Sequence, residues 1–381
     1  MADSRLKELR GLGQSVWIDF LSKELLDSGH LAKLITEDGL TGVTSNPTIF
    51  QKAMQDTRIY DERIKALVAE GVTEEKEIFL RLALDDIRHA AGLLQPVHQE
   101  TGGMDGFVSI EVSPDLAYNT TETIMEARRL FSDAGRENVL VKVPGTKEGL
   151  PAIERLISDG VNVNVTLLFS VERYSEAADA YMRGLEARAA EGLPLEGITS
   201  VASFFISRID TLVDTMLDAK ARGTSPSNAE RMLEFRGRAG ISSARLAYER
   251  YKEIAGSDRF VALREKGAKP QMLLWGSTSV KDPVYRDTLY VEELIGLDTI
   301  NTMPEETLNA FRDHGVARPT LEKDLDEARR VFEGLGSIGI DMRQVTSQLV
   351  KEGVRKFSES FFDVMGRLAA KREMIIRKLA A

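Results

Sequence analysis

In the segment NVLVKV, valines 139, 141 and 143 alternate with Leu140 and Lys142. Residues two apart on a strand share a face, so one row is wholly aliphatic and the other carries a lysine. The same split recurs along the chain. In VNVNVT, Val161, Val163 and Val165 oppose Asn162, Asn164 and Thr166. In FVSIEV, Val108, Ile110 and Val112 oppose Phe107, Ser109 and Glu111, and in VWIDF, Val16, Ile18 and Phe20 oppose Trp17 and Asp19. Thr44 and Asn46 share a phase in GVTSN, while ITSVAS is less regular, because Ser203 shares its row with Val201. With QMLLW and LDTINT, the candidate strands are 16–20, 42–45, 107–112, 138–143, 161–169, 198–203, 271–275 and 297–302.

Longer stretches of helical periodicity separate these runs. One, SVERYSEAADAYMRGLEARAAEG, opens on the cap residue Ser170 and stops near Gly192. Alternation of strand and helix eight times predicts an α/β fold, a (β/α)8 TIM barrel. The doubly wound alternative lacks its GxGxxG turn: LSKELL follows the first run instead. The chain exceeds a minimal barrel, and the surplus falls in helical stretches at about 74–99 and 206–256 and in a helical tail from about 320 to 381. No linker separates a second unit, so residues 1–381 are expected to form one domain. The last helix is expected near the barrel mouth.

A barrel strand turns its aliphatic row to the helix ring and its other row inward, with reacting groups toward the strand C-terminal ends. The polar row therefore sits inside, although each buried polar group left unpaired costs a few kcal/mol. Lys142 lies in this row. Desolvation disfavours the charged form of an amine, and an uncharged lysine attacks carbonyls to form a Schiff base. The alternative is a structural lysine paired with Glu111 or Asp19. Neighbouring strands are about 4.8 Å apart, so Glu111, Lys142 and Thr166 can meet directly or through one water. A carboxyl group with a water relay can carry the protons of carbinolamine formation and dehydration. Carbon–carbon cleavage needs a further base, and Asp19 is the available second carboxylate.

Composition narrows the class further. The 381 residues carry a formal net charge of −10, which argues against a nucleic-acid or anionic-membrane binder. There is no cysteine, which removes thiolate metal sites and cysteine nucleophiles. The histidines at 30, 89, 98 and 314 form no HExxH pair, so no metal site is expected. The N-terminus has no apolar signal core and no run reaches membrane-span length, which predicts a cytoplasmic protein. Trp17 is expected to fill the barrel floor, TGGMDGF (101–107) to be a turn, and Lys147 to lie on the surface.

Taken together, WIDFLSKELL, GVTSNPTIF, VSIEVSPDLAYN, NVLVKVPGTKEGLPAIERL, NVNVTLLFS and ASFFISRID resemble the transaldolase family, in its longer bacterial type, over most of residues 14–215. The resemblance implies a cofactor-free Schiff-base mechanism. Lys142 matches the Schiff-base lysine and Asp19 the acid/base for the C4 hydroxyl. Glu111 matches the carboxyl group that works through a water held with Thr166. Asn46 and Asn164 match ligands of substrate hydroxyls, with Thr44 close by. Ser203, Phe205 and Arg208 match the side of the site that holds a substrate hydroxyl and phosphate, for which a guanidinium is suited. The implied reaction moves a dihydroxyacetone unit from sedoheptulose 7-phosphate to glyceraldehyde 3-phosphate, in the non-oxidative pentose phosphate pathway. The implied partners are thus phosphorylated ketoses and aldoses, with monomer and homodimer both open.

One departure stands out. Where the family has GASFRN after the seventh strand, this chain reads WGSTSVKDP, and Val280 replaces a phosphate-contacting arginine. Lys281 next door, or Arg286, is a candidate replacement. Both could equally be solvated helix-start cations. Two other readings stay open beside the transferase: a fructose 6-phosphate aldolase-like lyase and a non-catalytic sugar-phosphate-binding barrel. The lyase typically has glutamine where Glu111 stands and tyrosine where Phe205 stands.

Overall fold

The computed structural model describes residues 4–53 and 57–379. Eight strands, β1 (Gln14–Ile18), β2 (Gly42–Thr44), β3 (Phe107–Glu111), β4 (Val139–Pro144), β5 (Val163–Leu168), β6 (Ser200–Phe205), β7 (Met272–Gly276) and β8 (Thr299–Met303), pair in chain order and close on themselves as a parallel barrel. The expected fold is therefore the observed one. The alternation of rows holds strand by strand. Val16, Ile18, Val43, Val108, Ile110, Val139, Val141, Val143, Val163 and Val165 belong to the large apolar core between barrel and helices. The opposite row supplies a separate inner cluster: Trp17, Phe107, Leu140, Val201, Met272, Leu274 and Ile300. Val201 breaks the polar row of β6 because it belongs to this floor.

Trp17 is fully buried in the floor, and its Nε1 donates to Asp105 Oδ1 at 2.8 Å. Ser15 donates to the same carboxylate. Asp105 comes from the 101–106 turn, which closes the N-terminal end of the barrel, with Gly102, Gly103 and Gly106 at positive φ. Gly42 on β2 passes so close that a Cβ there would lie 2.3 Å from the indole.

The strand ends differ from the sequence expectation by a few residues. β1 stops at Ile18, so Asp19 follows the strand, and its amide donates to the Met303 carbonyl at 2.8 Å. The 74–99 stretch is the helix Glu75–Glu100. The 206–256 stretch is three helices, Ser207–Ala221, Pro226–Leu233 and Ala239–Ala255. Ser170 caps Val171–Ala190 by accepting from the Arg173 amide.

The tail forms Leu325–Ser337 and a 38-residue C-terminal helix, Met342–Leu379. Leu349, Glu352, Gly353, Lys356 and Phe357 of that helix fall at i, i+3, i+4, i+7 and i+8, which is one face. Leu349, Glu352, Lys356 and Phe357 border the cavity at the barrel mouth. Farther along, Phe361 meets Phe79 edge to face at 5.5 Å, and Ser360 and Thr48 share a hydrogen bond of 2.9 Å. The helix thus lies over the C-terminal end of the barrel, where it was expected. Among the described residues no helix is long and apolar enough to cross a membrane.

Candidate active site

A cavity of about 570 Å³ opens at the C-terminal end of the barrel. Asp19, Thr44, Asn46, Lys142, Ser203, Phe205, Arg208 and Lys281 all line it. Eight sequence-predicted residues from five barrel segments thus meet in one space. Glu111, Asn164 and Thr166 lie in the wall beside or beneath it, buried.

Lys142 is 3% exposed, and its Nζ donates to the Ser45 carbonyl at 3.0 Å. Register places it beside Glu111 on β3 and Asn164 on β5. Its Nζ is 3.9 Å from Glu111 Oε2, long for a charged hydrogen bond. Among the described residues, both Glu111 oxygens and the Thr166 hydroxyl lack hydrogen-bond partners. A pair kept only for stability would be short and saturated, because a buried unsatisfied carboxylate is costly. Burial pushes the Glu111 carboxyl up to about 7; Lys142 pulls it down, Asp19 adds a smaller upward push, and Arg208 opposes.

Thr166 sits where β5 is irregular. The register with β6 shifts between Val165 and Leu168, and Leu167 takes φ 59°, left-handed backbone that a leucine seldom adopts. Such bulges redirect side chains at barrel rims.

Asp19 is held from the other side. The Thr44 hydroxyl donates to Asp19 Oδ1 at 2.7 Å and is itself 2.7 Å from the Thr302 hydroxyl. Each hydroxyl has one hydrogen, so Thr302 donates to Thr44 and Thr44 to Asp19. That chain fixes the orientation of the carboxylate. Asn46 Oδ1 accepts from the Ile49 amide at 3.0 Å at the start of Pro47–Ala53, which orients its amide. Asn164 is fully buried. Its Nδ2 donates to Ser109 at 3.0 Å, and its Oδ1 accepts from Ser203 at 2.6 Å, so it buttresses Ser203 from below.

Arg208 opens Ser207–Ala221 just past β6. Its guanidinium lies 5.2 Å from the Phe205 ring and 5.6 Å from the Phe357 ring. Burial shifts it downward from the ordinary arginine range. Lys281 stands at the cavity edge, exposed, donating to Ser279 at 2.7 Å. Arg286 does not reach the cavity; it pairs with the buried Glu292 instead. Adjacency in sequence suggested Arg286, but that carboxylate, six residues on, claims it.

Sequence reasoning placed the C-terminal helix near the mouth but missed which of its residues reach the cavity, together with the Ser45 carbonyl and the cavity-lining Ser277 and Thr302. Thr302 was legible in principle, since it shares the inward phase of Ile300. The backbone carbonyl and the helix left no signal of this kind.

A family model described as Transaldolase/Fructose-6-phosphate aldolase matches residues 16–368. The protein named Transaldolase 2 from Nostoc sp. is 46% identical over 379 residues, covering 98% of this chain and 99% of that protein. Transaldolase from Trichodesmium erythraeum is 46% identical over 377 residues, covering 97% and 98%. Transaldolase from Thiobacillus denitrificans is 47% identical over 362 residues, covering 95% and 99%. Full-length likeness of this order, on the barrel and site just described, settles the grouping: the chain belongs to the transaldolase/fructose-6-phosphate aldolase family.

Proposed function

We propose that this protein is a cytoplasmic transaldolase that moves a dihydroxyacetone unit from sedoheptulose 7-phosphate to glyceraldehyde 3-phosphate, giving erythrose 4-phosphate and fructose 6-phosphate. The observation that carries the reading is the buried Lys142 amine in the cavity, with Glu111 3.9 Å away and Asp19 on the same cavity wall system.

The Lys142 amine attacks the ketose C2 carbonyl. Glu111, through a water shared with Thr166, gives the proton with which the carbinolamine oxygen leaves as water. Asp19 then takes the proton of the C4 hydroxyl. The C3–C4 bond breaks, the aldose leaves, and the electron pair moves into the iminium to give an enamine on Lys142. An aldose phosphate acceptor reverses these steps: the enamine carbon attacks its aldehyde, and Asp19 returns the proton to the new alkoxide. Ser203, Asn46 and Asn164 position hydroxyls, directly or by supporting one another. Arg208 takes the phosphate, with Lys281 and Lys356 as further cations at the cavity edge.

Transfer is favoured over simple cleavage by Glu111 and Phe205. A phenyl ring cannot activate a water to release the enamine, and a covered mouth keeps water away while the acceptor arrives. The test is product formation from fructose 6-phosphate with and without erythrose 4-phosphate. Acceptor-dependent sedoheptulose 7-phosphate supports the transferase; free dihydroxyacetone at full rate without acceptor overturns it.

A further inference from the structure

Arg208 makes no hydrogen bond or ion pair to another described side chain, yet it is largely buried at the cavity. Two aromatic rings flank it, and the carboxylates of Asp19, Glu111 and Glu352 act on it electrostatically without a hydrogen bond. One ring, Phe205, comes from the end of β6, three residues earlier in the same segment. The other, Phe357, comes from the C-terminal helix, and both rings are themselves buried.

The helix is seated for this contact. Gly353 lies one turn before Phe357 on the same face. A Cβ on Gly353 would stand 2.8 Å from Leu167 Cδ2 and 3.7 Å from Arg208 Nη1. Any side chain at 353 would push the Leu167 side chain aside, so glycine lets the helix rest closely on Leu167 beside Arg208.

We propose that Phe357 is a positioning residue for phosphate recognition: with Phe205 it holds the Arg208 guanidinium by cation–π contact, fixing the direction from which its N–H groups meet a substrate phosphate. This rests on the reading of Arg208 as the phosphate ligand. A ring contact of this kind takes up no hydrogen-bond acceptor, and no described side chain accepts from the guanidinium, whereas a carboxylate partner would occupy its N–H groups. Positioning by rings therefore keeps the arginine ordered and available at once. The C-terminal helix becomes a specificity element rather than only a cover.

The test uses the full chain and three variants, Phe357→Leu, Phe357→Tyr and Arg208→Leu. Two readouts apply: the ratio of kcat/KM for fructose 6-phosphate to that for fructose, and competitive inhibition by inorganic phosphate. Phe357→Leu is expected to lower the ratio and weaken phosphate inhibition about tenfold, the size of one partly desolvated cation–π contact. Phe357→Tyr, which restores a ring, is expected to return both to near the wild-type values. A purely structural role would lower activity on both ketoses alike and leave the ratio unchanged, and that result overturns the proposal. If Arg208→Leu itself leaves the ratio and the phosphate inhibition unchanged, the phosphate reading fails and takes the proposal with it. If Arg208→Leu loses both while Phe357→Leu keeps them, the ring contact alone fails. Should Phe357→Leu not fold, Gly353→Val, which crowds Leu167 beside Arg208, must produce the same selective loss.

Discussion

Lys142 and Glu111 stand side by side in register across β4 and β3, with Nζ 3.9 Å from Oε2. The carboxyl group has no hydrogen-bond partner among the described residues. The distance is short enough for each to feel the other's charge and long enough for neither to be consumed by the contact. That spacing suits the proposed nucleophile and proton carrier, because a substrate atom and a water would enter between and beside them.

Glu111 sets a pH dependence whose sign follows from burial. Its carboxyl, raised to about 7, is a neutral acid below that pH and a carboxylate above it. Dehydration of the carbinolamine needs the acid. Single-turnover Schiff-base formation should therefore slow as pH rises through about 7. Glu111→Gln, which cannot give up a proton, should flatten this limb and lower the rate by about 10²–10⁴-fold. Rapid-quench trapping across pH 5.5–8.5 measures it; an unchanged limb in the variant would remove Glu111 from the step.

Asp19 should separate bond cleavage from imine formation. Asp19→Asn keeps an acceptor for the Thr44 hydroxyl but loses the base. Transfer to erythrose 4-phosphate should fall about 10²–10⁴-fold, while borohydride still traps fructose 6-phosphate on the enzyme. Equal loss of trapping and transfer would place Asp19 before cleavage and contradict its assignment.

Gly42→Ala tests the barrel floor. The added methyl would lie 2.3 Å from a Trp17 ring whose Nε1 is tied to Asp105, so neither side yields easily. Overpacking of this kind destabilises by about 1–3 kcal/mol. Urea unfolding should show a lower midpoint; an unchanged midpoint would mean that the floor repacks freely.

The barrel and the inner row of its site were legible because both follow from one local rule. A strand between a helix ring and a packed interior must alternate, and where its inward row turns polar near the C-terminal end the chain departs from pure packing. Lys142, Glu111, Thr166 and Asp19 were readable on these terms, and the family resemblance added roles that phase alone does not give. The helix over the mouth was harder. Its place near the mouth was expected, but periodicity in 342–379 does not say which residues of its face reach the cavity, so Phe357, Glu352 and Lys356 stayed invisible as site residues. Lys142's contact with the Ser45 carbonyl was equally hidden, since any residue supplies a carbonyl. Arg286 misled because its partner Glu292 is buried by tertiary packing that sequence spacing does not reveal.

The proposed reaction turns on covalent chemistry at one amine. Incubation with fructose 6-phosphate and borohydride, followed by peptide mass analysis, tests it most directly. A reduced dihydroxyacetone or hexose phosphate adduct is expected on the peptide containing Lys142, absent from Lys142→Ala together with all transfer activity. An adduct on another lysine, or undiminished transfer by Lys142→Ala, would contradict it.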